Sequence, residues 1–220
     1  MRPLSSIMVA LLVAVFIPAG YAQAAPEAVD ESRLQPALSP TFVPWDCKLK
    51  STGPVCTGER HLRLPREQVT DFGCTVPLWN SRTEDRYQIR YYNQDYLNFD
   101  RSFRTKDTDF FSTSLTGPDT ATIDTHARFT EPFAVPGDDS TRSIITSGTI
   151  LEVRGVTGRA LLRVVGTLVE PPDAPATFSG HVTVDGVTTR YVDGAYDSIV
   201  SFELFADAVC QAATGSGTTL

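Results

Sequence analysis

One stretch, Arg86–Phe129, constrains the fold more than any other part of the 220-residue sequence. Its first part is dense in tyrosine and phenylalanine, and turn-forming residues interrupt it at Asn93–Tyr96 and Thr116–Asp119. Its last part, Thr120–Phe129, alternates between apolar and polar side chains. Because successive side chains of a strand point to opposite faces, this alternation indicates a half-buried β-strand. The stretch therefore predicts the beginning of an antiparallel meander.

The same two-residue period continues towards the C-terminus, with Asp185-Gly186 as a two-residue hairpin turn between two such segments. Ser198–Val209 fits both a strand and one face of a helix, and we favour a strand followed by a short helical turn. The predicted fold is all-β: a single antiparallel β-barrel or a two-sheet β-sandwich of about nine to eleven short strands. The sequence leaves the choice between barrel and sandwich open.

The N-terminus has the features of a secretory signal peptide, because a short apolar run, Ile7–Ile17, precedes a small-x-small site at Ala22–Ala24. An uncleaved interfacial helix is the alternative interpretation. We expect a signal peptide over residues 1–24, a flexible Pro-rich leader over 25–44, an all-β domain over 45–210 and a disordered tail over 211–220. The last residues, GSGTTL, lack a hydrophobic tail, so no membrane anchor is predicted there.

The four cysteines are even in number, which indicates two disulfides in an exported chain. We favour Cys47–Cys56, which Gly53-Pro54 would help to close, and Cys74–Cys210, which would tie the start of the meander to its end. A four-cysteine zinc site is the alternative, but the sequence has no C-x₂₋₄-C pair, so no metal or other cofactor is predicted. The predicted location is therefore secreted, either extracellular or on the exterior of the cell envelope.

The net charge excludes two classes of partner. Acidic residues outnumber basic ones by 26 to 19, and no basic run offsets the net charge of −7. An acidic surface repels nucleic acid and anionic membranes, so neither is a predicted partner.

A resemblance rests on the segment RYYNQDYLNFDR, on the turn that contains Thr116-Gly117 and on the closing FADAVC. These features resemble a group of exported all-β bacterial proteins of unknown function, common in high-GC Gram-positive lineages. Tyr96 stands where glycine is usual in the early turn of that group. The resemblance implies an exported all-β domain and brings no activity, substrate or site residue with it.

The candidate polar site consists of Asp124, His126 and His181, which all fall on the polar sides of predicted strands. In a barrel with a wet interior they could line one lumen together with Arg128, and act as acid and base or bind a metal. The alternative is two solvated surface histidines. No nucleophile motif and no histidine pair with metal-ligand spacing is present in the sequence.

Aromatic residues offer the other candidates. Tyr87, Tyr91, Phe99 and Phe103 are ordinary core residues or, if a barrel has an unfilled centre, the lining of an apolar pocket. An exposed face made of three further aromatic residues could instead bind carbohydrate or protein: Trp79, Tyr92 and Tyr96.

Three functional hypotheses follow. The first is a secreted, non-enzymatic binding or interaction module, with a carbohydrate or another exported protein as its partner. The alternative is a β-barrel that carries a small apolar ligand. The second alternative is an enzyme that uses an Asp/His site inside a polar barrel. The sequence favours them in that order, because no catalytic motif links the candidate residues.

Overall fold

The computed structural model describes residues 28–215 and contains nine β-strands and two α-helices in that range. The strands are β1 (Trp45–Lys50), β2 (Gly53–Val69), β3 (Leu78–Tyr92), β4 (Asn98–Ser112), β5 (Ala121–Pro132), β6 (Ile144–Gly155), β7 (Ala160–Glu170), β8 (Thr177–Val184) and β9 (Val187–Ala195). The helices are α1 (Tyr196–Ile199) and α2 (Phe202–Thr214), and short 3-10 turns lie at Glu31–Arg33 and Asp139–Thr141. The predicted signal peptide and the end of the predicted tail lie outside the described residues.

All nine strands form one antiparallel sheet in which the spatial order equals the chain order. The predicted all-β antiparallel class is confirmed. The sheet does not close into a barrel, since within residues 28–215 β1 pairs only with β2 and β9 only with β8, and no second sheet faces it. Several strands are also longer than predicted, and β2 has 17 residues. A helix and an N-terminal segment cover the two ends of one face of the sheet and form a hydrophobic core with each, so neither closure nor a second sheet is needed.

We call the covered side the inner face and define it by Leu78, Phe111, Ile123, Val153 and Val164, which all belong to the main hydrophobic core. The opposite side is the outer face. Strand register fixes this division, because residues that pair directly across an antiparallel ladder point to the same face.

Helix α2 packs on the inner face, where Val209 and Ala212 join the main core. The segment was predicted as a strand with a short helical turn, and the structure differs. Ser201 caps the helix by accepting a hydrogen bond from the Leu204 amide at 3.2 Å, and Gly215 ends it with a φ of 76°. These two end signals favour a helix over the strand that the alternating pattern predicts. The helix continues through Thr214, into residues predicted to be disordered.

Residues 29–44, predicted as a flexible leader, lie across the other end of the inner face. The carbonyl oxygens of Pro36 and Ala37 accept hydrogen bonds from Tyr92 at 3.3 Å and from Arg90 at 2.9 Å. Leu34 is buried with Tyr92 in a second, smaller core, and Phe42 is also buried. These contacts place the start of the ordered domain before Trp45.

Two features near the C-terminal strands shape the sheet. The hairpin turn at Asp185-Gly186 is confirmed, and both residues have positive φ, 49° and 87°. Gly166 and Gly180 pair directly across β7 and β8, and the Phe178 ring lies over both. A Cβ atom on Gly166 would lie 2.3 Å from the Ser179 carbonyl oxygen, so only glycine fits there.

Both predicted disulfides are confirmed. Cys47–Cys56 joins directly paired residues of β1 and β2, and Cys74–Cys210 ties the loop before β3 to α2 across 136 residues of sequence. No free cysteine is present among residues 28–215. Two disulfides indicate an oxidising, extracytoplasmic setting.

Candidate functional site

The predicted residues Asp124 and His126 lie on the outer face of β5, in rows of side chains that cross four strands. One row runs Thr108, Asp124, Glu152 and Arg163 from β4 to β7. The neighbouring row contains Lys106, His126 and Thr149. The outer face of β4–β7 therefore gathers charged and hydroxyl side chains around Asp124.

Two carboxylates stand side by side at the centre of this surface. Asp124 and Glu152 pair directly across β5 and β6, a position that places Cβ atoms about 5 Å apart. Arg154 lies between them, with Nη2 2.8 Å from Glu152 Oε1 and Nε 3.9 Å from Asp124 Oδ2. Since like charges repel at this separation, the shared guanidinium is what makes the pair tolerable.

Neighbouring side chains fix both carboxylates further. Asp124 accepts hydrogen bonds from the hydroxyls of Thr108 at 2.8 Å and Thr122 at 3.3 Å. Arg163 Nε lies 3.6 Å from Glu152 Oε1, and the Glu152 side chain is only 10% exposed. The acceptors are therefore held in place, while the two arginines remain 42% and 49% exposed.

The surface around the two carboxylates forms a depression beside a β-bulge in β6. The register shifts between Thr149 and Leu151, and the Thr125 hydroxyl donates to the Ile150 carbonyl at 3.0 Å. The depression is open and has a volume of about 560 Å³. We call it the Asp124–Glu152 depression, and it is lined by Lys106, Thr108, Phe110, Thr122, Asp124, His126, Thr149, Glu152, Arg154 and Arg163.

The third predicted polar residue, His181, does not join this group. It lies on the outer face of β8 in the same row as His126, separated from it by Thr149 and Val165. Three strand spacings put the two histidines about 14 Å apart. Both are exposed, so the proposed lumen lined by all three residues does not form.

The predicted aromatic candidates do not share a pocket either. Tyr91 lies beside Phe99, with ring centroids 6.3 Å apart, whereas Phe103 packs on the inner face between Phe42 and Phe129. Tyr87 lines a separate shallow depression of the outer face. The proposed aromatic face also fails to form, because Tyr92 is 1% exposed and belongs to the smaller core.

Sequence reasoning missed a second polar cluster, on the inner face between the two covers. Glu84 contacts three guanidinium groups, those of Arg60, Arg82 and Arg86. Asp107 Oδ2 accepts from Arg82 at 3.0 Å and from Arg86 at 2.9 Å. Both carboxylates are almost fully buried, so this cluster is a structural ion network whose arginines point partly to solvent.

Two titrating groups near these clusters have a pKa above the ordinary value for their residue type. Burial raises the pKa of Asp109, which accepts a 3.2 Å hydrogen bond from Asn80 beside the inner network. On the outer face, a 2.7 Å hydrogen bond with Asp85 raises the pKa of His61.

The residues that complete the Asp124–Glu152 depression were also missed by sequence reasoning. Glu152, Arg154 and Arg163 lie on predicted strands, but the bulge in β6 hides which side chains share a face with Asp124. The available signals are Glu152 and Arg154, which carry opposite charges at alternating positions, and Gly148, since a glycine inside a strand is typical of a bulge.

No protein-family model, curated protein or solved structure matches the chain. The resemblance to exported bacterial proteins stays a prediction. Neither helix of the described range is long and apolar enough to cross a membrane. Within residues 28–215 no group of three or more His, Cys, Asp or Glu side chains is placed to hold a metal ion.

Proposed function

We propose that this protein is a secreted, non-enzymatic binding module of the cell exterior, and that it binds a polyhydroxyl ligand such as a carbohydrate in the Asp124–Glu152 depression. One observation carries the proposal: two adjacent carboxylates share Arg154 on an open surface. The fold does not need this arrangement, since apolar or neutral pairs stabilise a sheet at least as well.

The chemistry suits vicinal hydroxyl groups. Each sugar hydroxyl both donates and accepts a hydrogen bond, so adjacent hydroxyls are recognised where a fixed acceptor lies next to a fixed donor. Asp124 and Glu152 supply acceptors, and the exposed faces of Arg154 and Arg163 supply donors. Phe110 adds an aromatic surface at one side of the depression. Hydrogen bonds to charged groups contribute about 1.5–3 kcal/mol each.

Binding is favoured over the two alternatives by the placement of the candidates. An enzyme with Asp124, His126 and His181 would need the histidines at one reaction centre, and they lie on separate strands in bulk solvent. A carrier of a small apolar molecule would need an enclosed aromatic pocket, and the candidate aromatic residues are divided between the two faces.

The test is a glycan array screened with the oxidised mature protein, followed by calorimetry with any glycan retained. Asp124→Asn and Glu152→Gln should each weaken binding about 10- to 100-fold, the equivalent of one charged hydrogen bond. Glu59→Gln is the matched control, because Glu59 is an exposed outer-face carboxylate on β2, away from the depression. Melting curves would show that each variant is folded. If no glycan is retained, or if the depression variants bind as well as the control, the proposal fails.

A further inference from the structure

The edges of the sheet differ in how well they are protected from pairing with another chain. An edge strand exposes unpaired N–H and C=O groups, which natural sheets shield with charges, proline and bulges. β1 carries Lys48 and Lys50. The part of β2 beyond β1 contains Pro65, a bulge between Leu64 and Glu67, and several charged side chains. Both of these edges are therefore shielded.

The edge at β9 has no such shield in its first half. Residues 187–192 read VTTRYV, with one charged side chain and no proline. Val187 and Val192 are 72% and 68% exposed. Among the described residues, β8 is the only strand that pairs with β9. The sheet thus ends in a regular strand that can accept another.

The hairpin fixes which backbone groups point away from the sheet. In a hairpin with a two-residue loop, the pair next to the turn is hydrogen-bonded, and bonded pairs then alternate along the ladder. The pairs of Val187 with Val184 and Thr189 with Val182 are of the bonded type. Thr188 and Arg190 lie at the intervening positions, so their N–H and C=O groups point outward.

We propose that a second copy of this chain adds to this edge, so that two β9 strands pair antiparallel about a two-fold axis through Thr189. This inference is independent of the proposed ligand. The axis is perpendicular to the sheet, and each inner face continues into that of the other copy. Thr188 of each copy then meets Arg190 of the other at a hydrogen-bonded position, and Val187 meets Tyr191.

We infer that the partner strand belongs to a second copy of the chain, because this register is self-complementary. Thr189 faces its own counterpart without charge, and the two apolar–aromatic pairs lie on the inner-face side. A two-fold axis through Arg190 would place two guanidinium groups opposite each other, which is unfavourable. One added strand pair buries less area than a standard interface. We therefore expect a weak dimer, with a dissociation constant of about micromolar or higher.

Sedimentation velocity over a concentration series tests the proposal with the oxidised mature protein. The wild type should dimerise. Thr189→Glu and Thr189→Lys each place two like charges on the axis and should weaken dimerisation at least about tenfold. An equimolar mixture of the two variants should restore a dimer, because the opposite charges then meet. Thr130→Glu, at another exposed strand position, is the matched control and should dimerise as the wild type does.

A second variant addresses the backbone directly. Thr188→Pro removes an outward N–H group, leaves the ladder with β8 intact, and should abolish the dimer while circular dichroism stays unchanged. A wild type that stays monomeric throughout the series would overturn the proposal. A dimer that tolerates both Thr189 variants, or that their mixture does not restore, would also overturn it.

Discussion

Replacing Glu84 with glutamine removes one carboxylate from a cluster that contains three guanidinium groups. The Glu84 side chain is 4% exposed and contacts Arg60, Arg82 and Arg86. Breaking a fully buried ion pair costs about 3–5 kcal/mol, because the partner charges stay buried without compensation. Here the arginine side chains are 22–32% exposed, and solvent screens part of the lost interaction. We therefore expect a loss of about 2–3 kcal/mol in the free energy of unfolding.

Urea unfolding measured by circular dichroism checks this value, since urea, unlike guanidinium chloride, does not screen charges. Glu59→Gln is the control, because the Glu59 side chain is 63% exposed and should contribute less than about 0.5 kcal/mol. The double variant Arg60→Gln/Glu84→Gln should be less destabilised than the sum of the single variants, since each removes the other's unpaired charge. A Glu84→Gln protein as stable as the control would refute the view that these charges depend on one another.

Three further predictions concern other parts of the molecule. Cys210→Ser should lower the free energy of unfolding by about 4–5 kcal/mol, measured without reductant, because it opens a 136-residue loop; a loss under 1 kcal/mol would contradict this. His61 should titrate above pH 6.5 by NMR, and Asp85→Asn should return it towards that value; the associated stability is present below pH 6.5 and lost as pH rises through the raised pKa. Gly166→Ala should destabilise more than Gly155→Ala in thermal melts, since its Cβ would meet backbone at 2.3 Å rather than 3.3 Å.

Features set by short stretches of sequence could be predicted. The Asp185-Gly186 turn follows from the local need for two residues with positive φ, and the structure contains it. The disulfide partners followed from loop closure and from the expected path of the meander. The alternation of β5 identified Asp124 and His126 as neighbours on one face, and both line the same depression.

Bulges explain most of what could not be predicted about the site. A single extra residue in one strand moves the following side chains to the other face. In β4 the register shift opposite Tyr91 separates Phe99 from Phe103, although their spacing suggests a common face. In β6 the shift near Leu151 decides that Glu152 stands beside Asp124. Gly148, next to the shift in β6, is a signal for that bulge, whereas no residue pattern marks the bulge in β4.

The inner ion network could not be predicted from the sequence for a different reason. Arg82, Glu84 and Arg86 alternate along β3 as a solvent-exposed face would, and the sequence gives no reason to place them on the core side. They lie there because the N-terminal segment covers one end of the inner face and α2 covers the other, which leaves the middle of the long strands without an apolar cover. The arginine side chains fill that gap themselves, since the guanidinium groups of Arg82 and Arg86 contact Glu84 while both side chains stay partly exposed to water. A face whose sequence is typical of a solvent-exposed surface thus forms the polar part of the core. Because Glu84 contacts all three arginines, replacing it is the direct test of this network.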